Sequence, residues 1–350
     1  MNRYRPRSVA VLALALLGAS AMGSLVPNSS GMATKVAVAQ KTKLPTKTIG
    51  IMGPVDAAET IKLGTDATDM AAKALGWKTI RVDPAGDPAK MASGMNSLVN
   101  SKVDAIVLTV IEPATIQAGL RAAAKAKIPV INTLALTHGS PFFAATYWAA
   151  PAAENRLLTD HMTKSLPKGS KVGMIQLPQF FNALIAQNLF IKSAKQHGWQ
   201  VVARHDADLA NLVPDVKKAV SNMIRANPDI DAIVGVGDFV PPGAVPAIRQ
   251  SGKQVKVYSV HGVPSSMQFV KEGIAELEFS DAQKGGFIAI DQLAQHFTTG
   301  ATIAKTTPKE FAFKMKILTK ADASRGYPYP TSKILAQFKA RWNKIYIEAG

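Results

Sequence analysis

From about residue 47 onward, short apolar runs alternate with longer stretches in which apolar residues recur every three or four positions. The short runs have the length and β-branched content of strands, and the longer stretches have helical periodicity. In the first half, strands are predicted over 48–52, 78–82, 104–109 and 128–132, with helices over 57–75, 91–100 and 114–126 between them. The second half repeats the alternation, with strands over 171–177, 200–205, 231–235 and 256–260 and helices over 181–196, 213–226 and 243–250. Strands that are apolar almost throughout and alternate with helices indicate parallel sheets covered on both faces. Further strands are expected over 274–279 and 311–318, with a helix over 283–298 between them. An amphipathic helix over 332–347 reads as an appendage packed on one lobe.

The two halves also match each other. Leu75-Gly76-Trp77-Lys78 opens one apolar run and His197-Gly198-Trp199-Gln200 opens another. Downstream of each lies Asp-Ala-Ile-Val, at 104–107 and at 231–234. Matches in the same order and at nearly the same separation indicate a duplicated unit. Right-handed crossovers make each unit a doubly wound lobe. The expected fold is therefore α/β, with two similar doubly wound parallel-sheet lobes. The glycines fall where helices should end, which gives them a backbone role without any ligand.

Composition adds an address. Arg3, Arg5 and Arg7 precede the apolar run 9–17, and small residues follow, which is the pattern of a secretory signal peptide. Ala19-Ser20-Ala21 and Ala37-Val38-Ala39 are alternative cleavage sites, and an uncleaved anchor over the uncharged stretch 8–26 is the competing reading. With no cysteine, the chain has no disulfide, thiolate metal site, cysteine nucleophile or lipid-modified cysteine. The net charge is +17, but the lysines are scattered and form no basic run. That reads as a solvated basic surface rather than a nucleic-acid footprint.

Chemical motifs are few. Gly235-Val236-Gly237 opens like a dinucleotide fingerprint, yet the third glycine is missing and Pro241-Pro242 follow. The six histidines are dispersed and no Walker A or Gly-x-Ser-x-Gly sequence occurs, so neither a metal site nor an enzyme is expected. In open parallel sheets ligands sit beyond the carboxyl ends of the strands. Two facing lobes therefore define a cleft with a rim over 53–59, 110–113 and 133–137 on one side and 178–182, 237–242 and 261–264 on the other. Asp56 and Asn182 are equally placed to be helix N-caps, Phe180 to be core, and Asp238 to hold a turn.

Asp87-Pro88-Ala89-Lys90, Ile128-Pro129-Val130-Ile131, Gly237-Asp238 before Gly243-Ala244, His261-Gly262-Val263-Pro264 and Ser280-Asp281 before Gly286 occur in that order. In these residues the chain resembles periplasmic binding proteins of the ribose-binding type, which feed ABC sugar importers. The resemblance covers about 48–318. It implies two lobes joined by a three-strand hinge, one small-molecule ligand, no cofactor, and a membrane permease with a separate ATPase as partner. It divides the chain into a leader over 1–39, one lobe over 47–148 and 281–308, a second over 149–280 and 309–320, and an extension over 321–350. A periplasmic monomer that binds no nucleic acid is expected. A ligand-sensing subunit for a chemoreceptor or sensor kinase is the alternative, since both would use the same closed surface.

The departures bear on the ligand. The Asp-Arg usual after the fourth strand is matched by Leu134-Ala135, and the arginine of the helix by Gln187. His261 stands for an Asp, Gly237 for an Asn, Ser280 for the late hinge Gln, and Thr60 and Ile61 for two aromatics. Asp56, Glu59, Thr60, Glu112, Leu134, Tyr147, Trp148, Phe180, Asn182, Gln187, Asp238, Phe239, His261 and Ser280 are thus the expected ligand contacts. Losing the arginine and carboxylate partners of vicinal hydroxyls implies a ligand less polar than a free monosaccharide.

Overall fold

The computed structural model describes residues 41–134, 139–147 and 151–347. In chain order its elements are β1 (Thr42–Lys43), β2 (Thr48–Met52), α1 (Glu59–Ala74), β3 (Lys78–Val82), α2 (Pro88–Asn100), β4 (Ala105–Thr109), α3 (Gln117–Lys125), β5 (Val130–Thr133) and β6 (Ala145–Tyr147). Then follow α4 (Pro151–Met162), β7 (Lys171–Gln176), α5 (Phe181–His197), β8 (Gln200–Asp206), α6 (Leu212–Ala226), β9 (Ala232–Gly235), α7 (Val240–Ser251) and β10 (Lys256–Ser259). The chain ends with α8 (Met267–Glu272), β11 (Ala275–Ser280), α9 (Lys284–Thr299), β12 (Met315–Leu318), α10 (Thr331–Ile345) and β13 (Tyr346–Ile347).

Two sheets carry the fold, in the orders β3-β2-β4-β5-β6 and β8-β7-β9-β10-β11-β12. The first five strands of each share one permutation, so the duplication read from the sequence is also a topological one. All these pairings are parallel except β11–β12, where Met315–Leu318 returns antiparallel along the edge of the second sheet. The expected strand over 311–318 is shorter than its apolar run, because Lys309–Phe311 forms a 3-10 turn. The helix expected over 332–347 stops at Ile345, and Tyr346–Ile347 pairs with Thr42–Lys43.

The repeated residues do the same work in both sheets. Asp104 Oδ2 accepts the backbone N–H of Thr48 at 2.7 Å, and Asp231 Oδ2 accepts that of Lys171 at 2.8 Å. Each thereby anchors the first residue of the strand that starts its sheet. Gly76 and Gly198 both have φ of +74°, the left-handed conformation that ends a helix without a Cβ penalty. The indoles that follow them donate to backbone carbonyls, Trp77 to Pro45 at 2.9 Å and Trp199 to Leu166 at 3.1 Å.

The chain passes between the sheets three times: after β6, after β11 and before β12. α4 therefore packs on the second sheet and α9 on the first, against α1. α10 also packs on α1 and α9, burying Ile334, Phe338 and Trp342. The appendage thus belongs to the first sheet's core.

Candidate functional site

A cleft of about 490 Å³, counting its solvent-open mouth, lies between the carboxyl ends of the two sheets. From the first sheet come Ala58, Thr60 and Ile61 at the start of α1, Val110 after β4 and Leu134 after β5. From the second come Leu177, Phe180, Asn182 and Ala183 after β7, Leu209 and Leu212 after β8, 236–239 after β9 and His261 after β10. Eleven of these sixteen residues are apolar, and the side-chain polarity comes from Thr60, Asn182, Asp238 and His261. The apolar core of the second sheet runs on across the cleft to Val55, Ala58, Ile61, Val110 and Leu134.

Direct bonds join the two walls. The Thr60 amide donates to Asp238 Oδ2 at 3.2 Å, and its hydroxyl donates to the His261 carbonyl at 3.3 Å. Toward the mouth, Ser265 donates to Glu59, and the Phe181 amide donates to Glu112 Oε1 at 2.9 Å. These are the contacts of closed lobes.

Seven of the expected contacts line the cleft: Thr60, Leu134, Phe180, Asn182, Asp238, Phe239 and His261. Glu59 and Glu112 instead bridge the lobes beside it. Asp56 pairs with Arg81 at 2.9 Å on the first lobe. Tyr147 is buried in the first core with its hydroxyl on the Ala304 carbonyl at 2.9 Å. Gln187 is buried within α5, and Ser280 ends β11 where the chain leaves the second sheet. Trp148 lies outside the described residues.

Behind His261 stands a pair of carboxyl groups that the sequence reading missed. Glu154, in the first turn of α4, places Oε1 3.7 Å from His261 Nε2, and Glu278 of β11 accepts the His261 amide at 3.1 Å. Both glutamates are buried. Burial alone would disfavour the imidazolium, but Glu154, Glu278 and Asp238 outweigh it and push the His261 pKa up to about 9. Burial, then the charge of Glu154, raises Glu278 to about 8. Asp238 is raised by burial, partly offset by the Thr60 amide. The sequence did hold a signal: Glu276 and Glu278 share one face of β11, and Glu154 and His161 lie two turns apart on α4. His161 Nε2 and Glu276 Oε2 are 2.6 Å apart and join α4 directly to β11, whereas Glu154 reaches the loop after β10 through His261.

Among the described residues no group of histidines and carboxylates is arranged to hold a metal ion, and no helix is long and apolar enough to cross a membrane. The cleft offers van der Waals walls with a few donors and acceptors, an arrangement suited to holding a small molecule.

Comparison with known proteins agrees with this architecture. The chain is 24% identical over 204 residues to the ribose import binding protein RbsB of Bacillus subtilis (strain 168), covering 57% of this chain and 65% of the relative. It is 27% identical over 237 residues to a xylitol-binding protein of Mycolicibacterium smegmatis, covering 65% of each. Among solved structures, a solute-binding protein from Thermotoga lettingae TMO in complex with 5-methylthioribose superposes with a TM-score of 0.72 at 17% identity, covering 86% of this chain and all of that one. Residues 49–301, from β2 past the end of α9, match the profile of the periplasmic binding protein domain, and the chain belongs to that family.

Proposed function

We propose that this protein is an exported solute receptor, which closes on one small molecule in the periplasm as a monomer. The closed lobes then present it to a membrane permease served by a separate ATPase. The observation that carries the reading is the cleft itself, built from loops at the carboxyl ends of two duplicated sheets and bridged by Thr60, Asp238 and His261. Its walls hold and enclose, and among the described residues no group in them is set up as an activated nucleophile.

The lining favours a ligand with an apolar body and few polar groups. A hydroxyl buried without a partner costs about 1–3 kcal/mol, and among the described residues of the lining four side chains can pair with one. A second reading, a free sugar or polyol, is favoured by the similarity to the ribose import and xylitol-binding proteins. Mass spectrometry of molecules released from gently purified protein, followed by calorimetry with that molecule, ribose and xylitol, separates the two. Tight binding of ribose or xylitol overturns the ligand reading and leaves the receptor intact. If a broad metabolite screen gives neither a thermal shift nor compaction, the receptor reading fails. Deletion of the gene distinguishes transport, where uptake is lost, from sensing, where only the response is lost.

A further inference from the structure

The wall of the cleft that meets Thr60 is held from behind by titratable groups on three separate elements. His261 has φ of +62°, a left-handed backbone that a non-glycine residue adopts only when its surroundings impose it. Glu278 imposes it, accepting the His261 amide at 3.1 Å through Oε2 and the Gly262 amide at 2.6 Å through its own carbonyl. The His261 carbonyl, aimed by that geometry, receives the hydroxyl of Thr60 from the opposite lobe. On the other flank, Glu154 faces the imidazole at 3.7 Å. Neither Glu154 Oε1 nor Glu278 Oε1 finds a hydrogen-bond donor among the described residues. Glu154 lies in the first turn of α4, after the first passage between the sheets, and Glu278 lies two residues before the second.

We propose that Glu154, His261 and Glu278 form a proton-operated latch, so that the lobes close when the cluster holds two protons and open when it loses them. This rests on the reading of the cleft as a closing solute site.

With a proton on both His261 and Glu278, the imidazolium has Glu154 3.7 Å away and Glu278 adds no negative charge beside it. Loss of the Glu278 proton sets two carboxylates against one imidazolium where little water reaches. Loss of the His261 proton then leaves the carboxylates uncompensated. Opening admits water to the His261 side of the cleft and relieves both costs. Asp238 faces the same imidazole from the loop before α7, and it acts in the same direction because its pKa is also raised on burial. Tyr327 faces Glu278 from the segment before α10, and burial raises its phenol too, so it stays neutral while the glutamate and the histidine titrate.

The chain has no cysteine, so dyes placed at Lys90→Cys and Lys217→Cys, one exposed site on each lobe, report closure without interference. Energy transfer is followed from pH 6 to 9.5 in protein stripped of any bound molecule. The expected result is a rise of at least tenfold in the open-to-closed ratio, which levels off above about pH 9, where the closed form has lost both protons as well. Glu278→Gln, which mimics the protonated carboxyl, is expected to flatten that rise. A wild-type ratio that stays constant overturns the latch, as does Glu278→Gln opening at the wild-type midpoint. If that variant does not fold, the ring 15N shifts of His261 in the wild type decide: titration near pH 9 supports the latch, and titration near 6.5 removes it. No ligand enters the experiment. A failed search for a solute therefore counts against the receptor reading alone, and a flat pH curve against the latch alone.

Discussion

Val110, Leu134 and His261 line the cleft on backbone that L-residues avoid, with φ of 56°, 56° and 62°. Each follows closely on a strand whose last residues turn sharply to deliver a side chain into the gap. A left-handed non-glycine residue costs about 1–2 kcal/mol, and β-branched Val110 is the most strained of the three. Val110→Gly therefore exchanges relief of that strain for a buried side chain worth about 1.5–3 kcal/mol, a net loss of about 1 kcal/mol. Val107→Gly, equally buried on regular strand backbone, loses the side chain with no relief and adds glycine's own cost of about 0.5–1 kcal/mol. Urea unfolding of the two variants checks the difference, and equal losses would show that Val110 carries no strain. The buried acids give a second prediction at this scale. His261 is raised from 6.5 to about 9, so the folded chain keeps a proton that the unfolded chain releases earlier. Glu278 is raised from 4.5 in the same sense. Folding is thus favoured by acid: the Glu278 contribution is lost as pH climbs from 4.5 through about 8, and the His261 contribution from 6.5 through about 9. For His261 alone the loss is about 3 kcal/mol at 1.36 kcal/mol per unit. Melting at pH 6.5 and 9 should show a lower Tm at the higher pH, with a smaller drop in Glu278→Gln.

Between residues and lobes, the duplicated elements make the fold legible. Asp104 and Asp231 could be matched from sequence because each precedes Ala-Ile-Val, and both anchor the first strand of a sheet. Asp104→Ala and Asp231→Ala should accordingly each cost about 0.5–1.5 kcal/mol in denaturant titrations for the lost hydrogen bond, with Asp104 at the upper end because it also pairs with Lys47 at 2.8 Å. A negligible effect in one lobe would make the match a coincidence of letters. The elements missed by sequence reading share physical reasons. β6 is only three residues long, and α8 is a six-residue helix. In α4 the buried set includes Glu154, Asn155 and Thr159, so its inward face reads as polar. The same substitution of polar for apolar residues hid the Glu154–His261–Glu278 cluster: alternation in Glu276-Leu277-Glu278 reads as one face in water, whereas α4 covers it. The cleft loops were legible because they follow strand ends, a rule of topology. Glu59, Glu112, Tyr147 and Gln187 were placed by loop position or family match alone, which does not fix whether a side chain turns inward, bridges outward or joins the core.

At the scale of the whole molecule, closure depends on how the three passages between the lobes move together. The second and third are tied side by side. The Asp281 amide donates to the Lys314 carbonyl at 3.1 Å, and the Lys314 amide donates back to Asp281 Oδ1 at 2.7 Å. Lys284 Nζ, almost fully buried, completes the tie with 2.7 Å bonds to Asp281 Oδ2 and the Ala312 carbonyl, and lies 5.1 Å from the centre of the Phe313 ring. Two strands bound in this way bend as one unit, so the lobes can rotate about them without sliding. Lys284→Met leaves the Asp281 carboxylate buried with a backbone donor but no counter-charge, and breaking such a pair costs about 3–5 kcal/mol. Asp281→Asn combined with Lys284→Met removes the stranded charge as well, and should recover part of that loss. The measurement is a double-mutant cycle in denaturant. Recovery in the double variant identifies the cost as an uncompensated charge. Losses that simply add would mean that the two side chains act independently, and the late passages would then have no common tie to turn about.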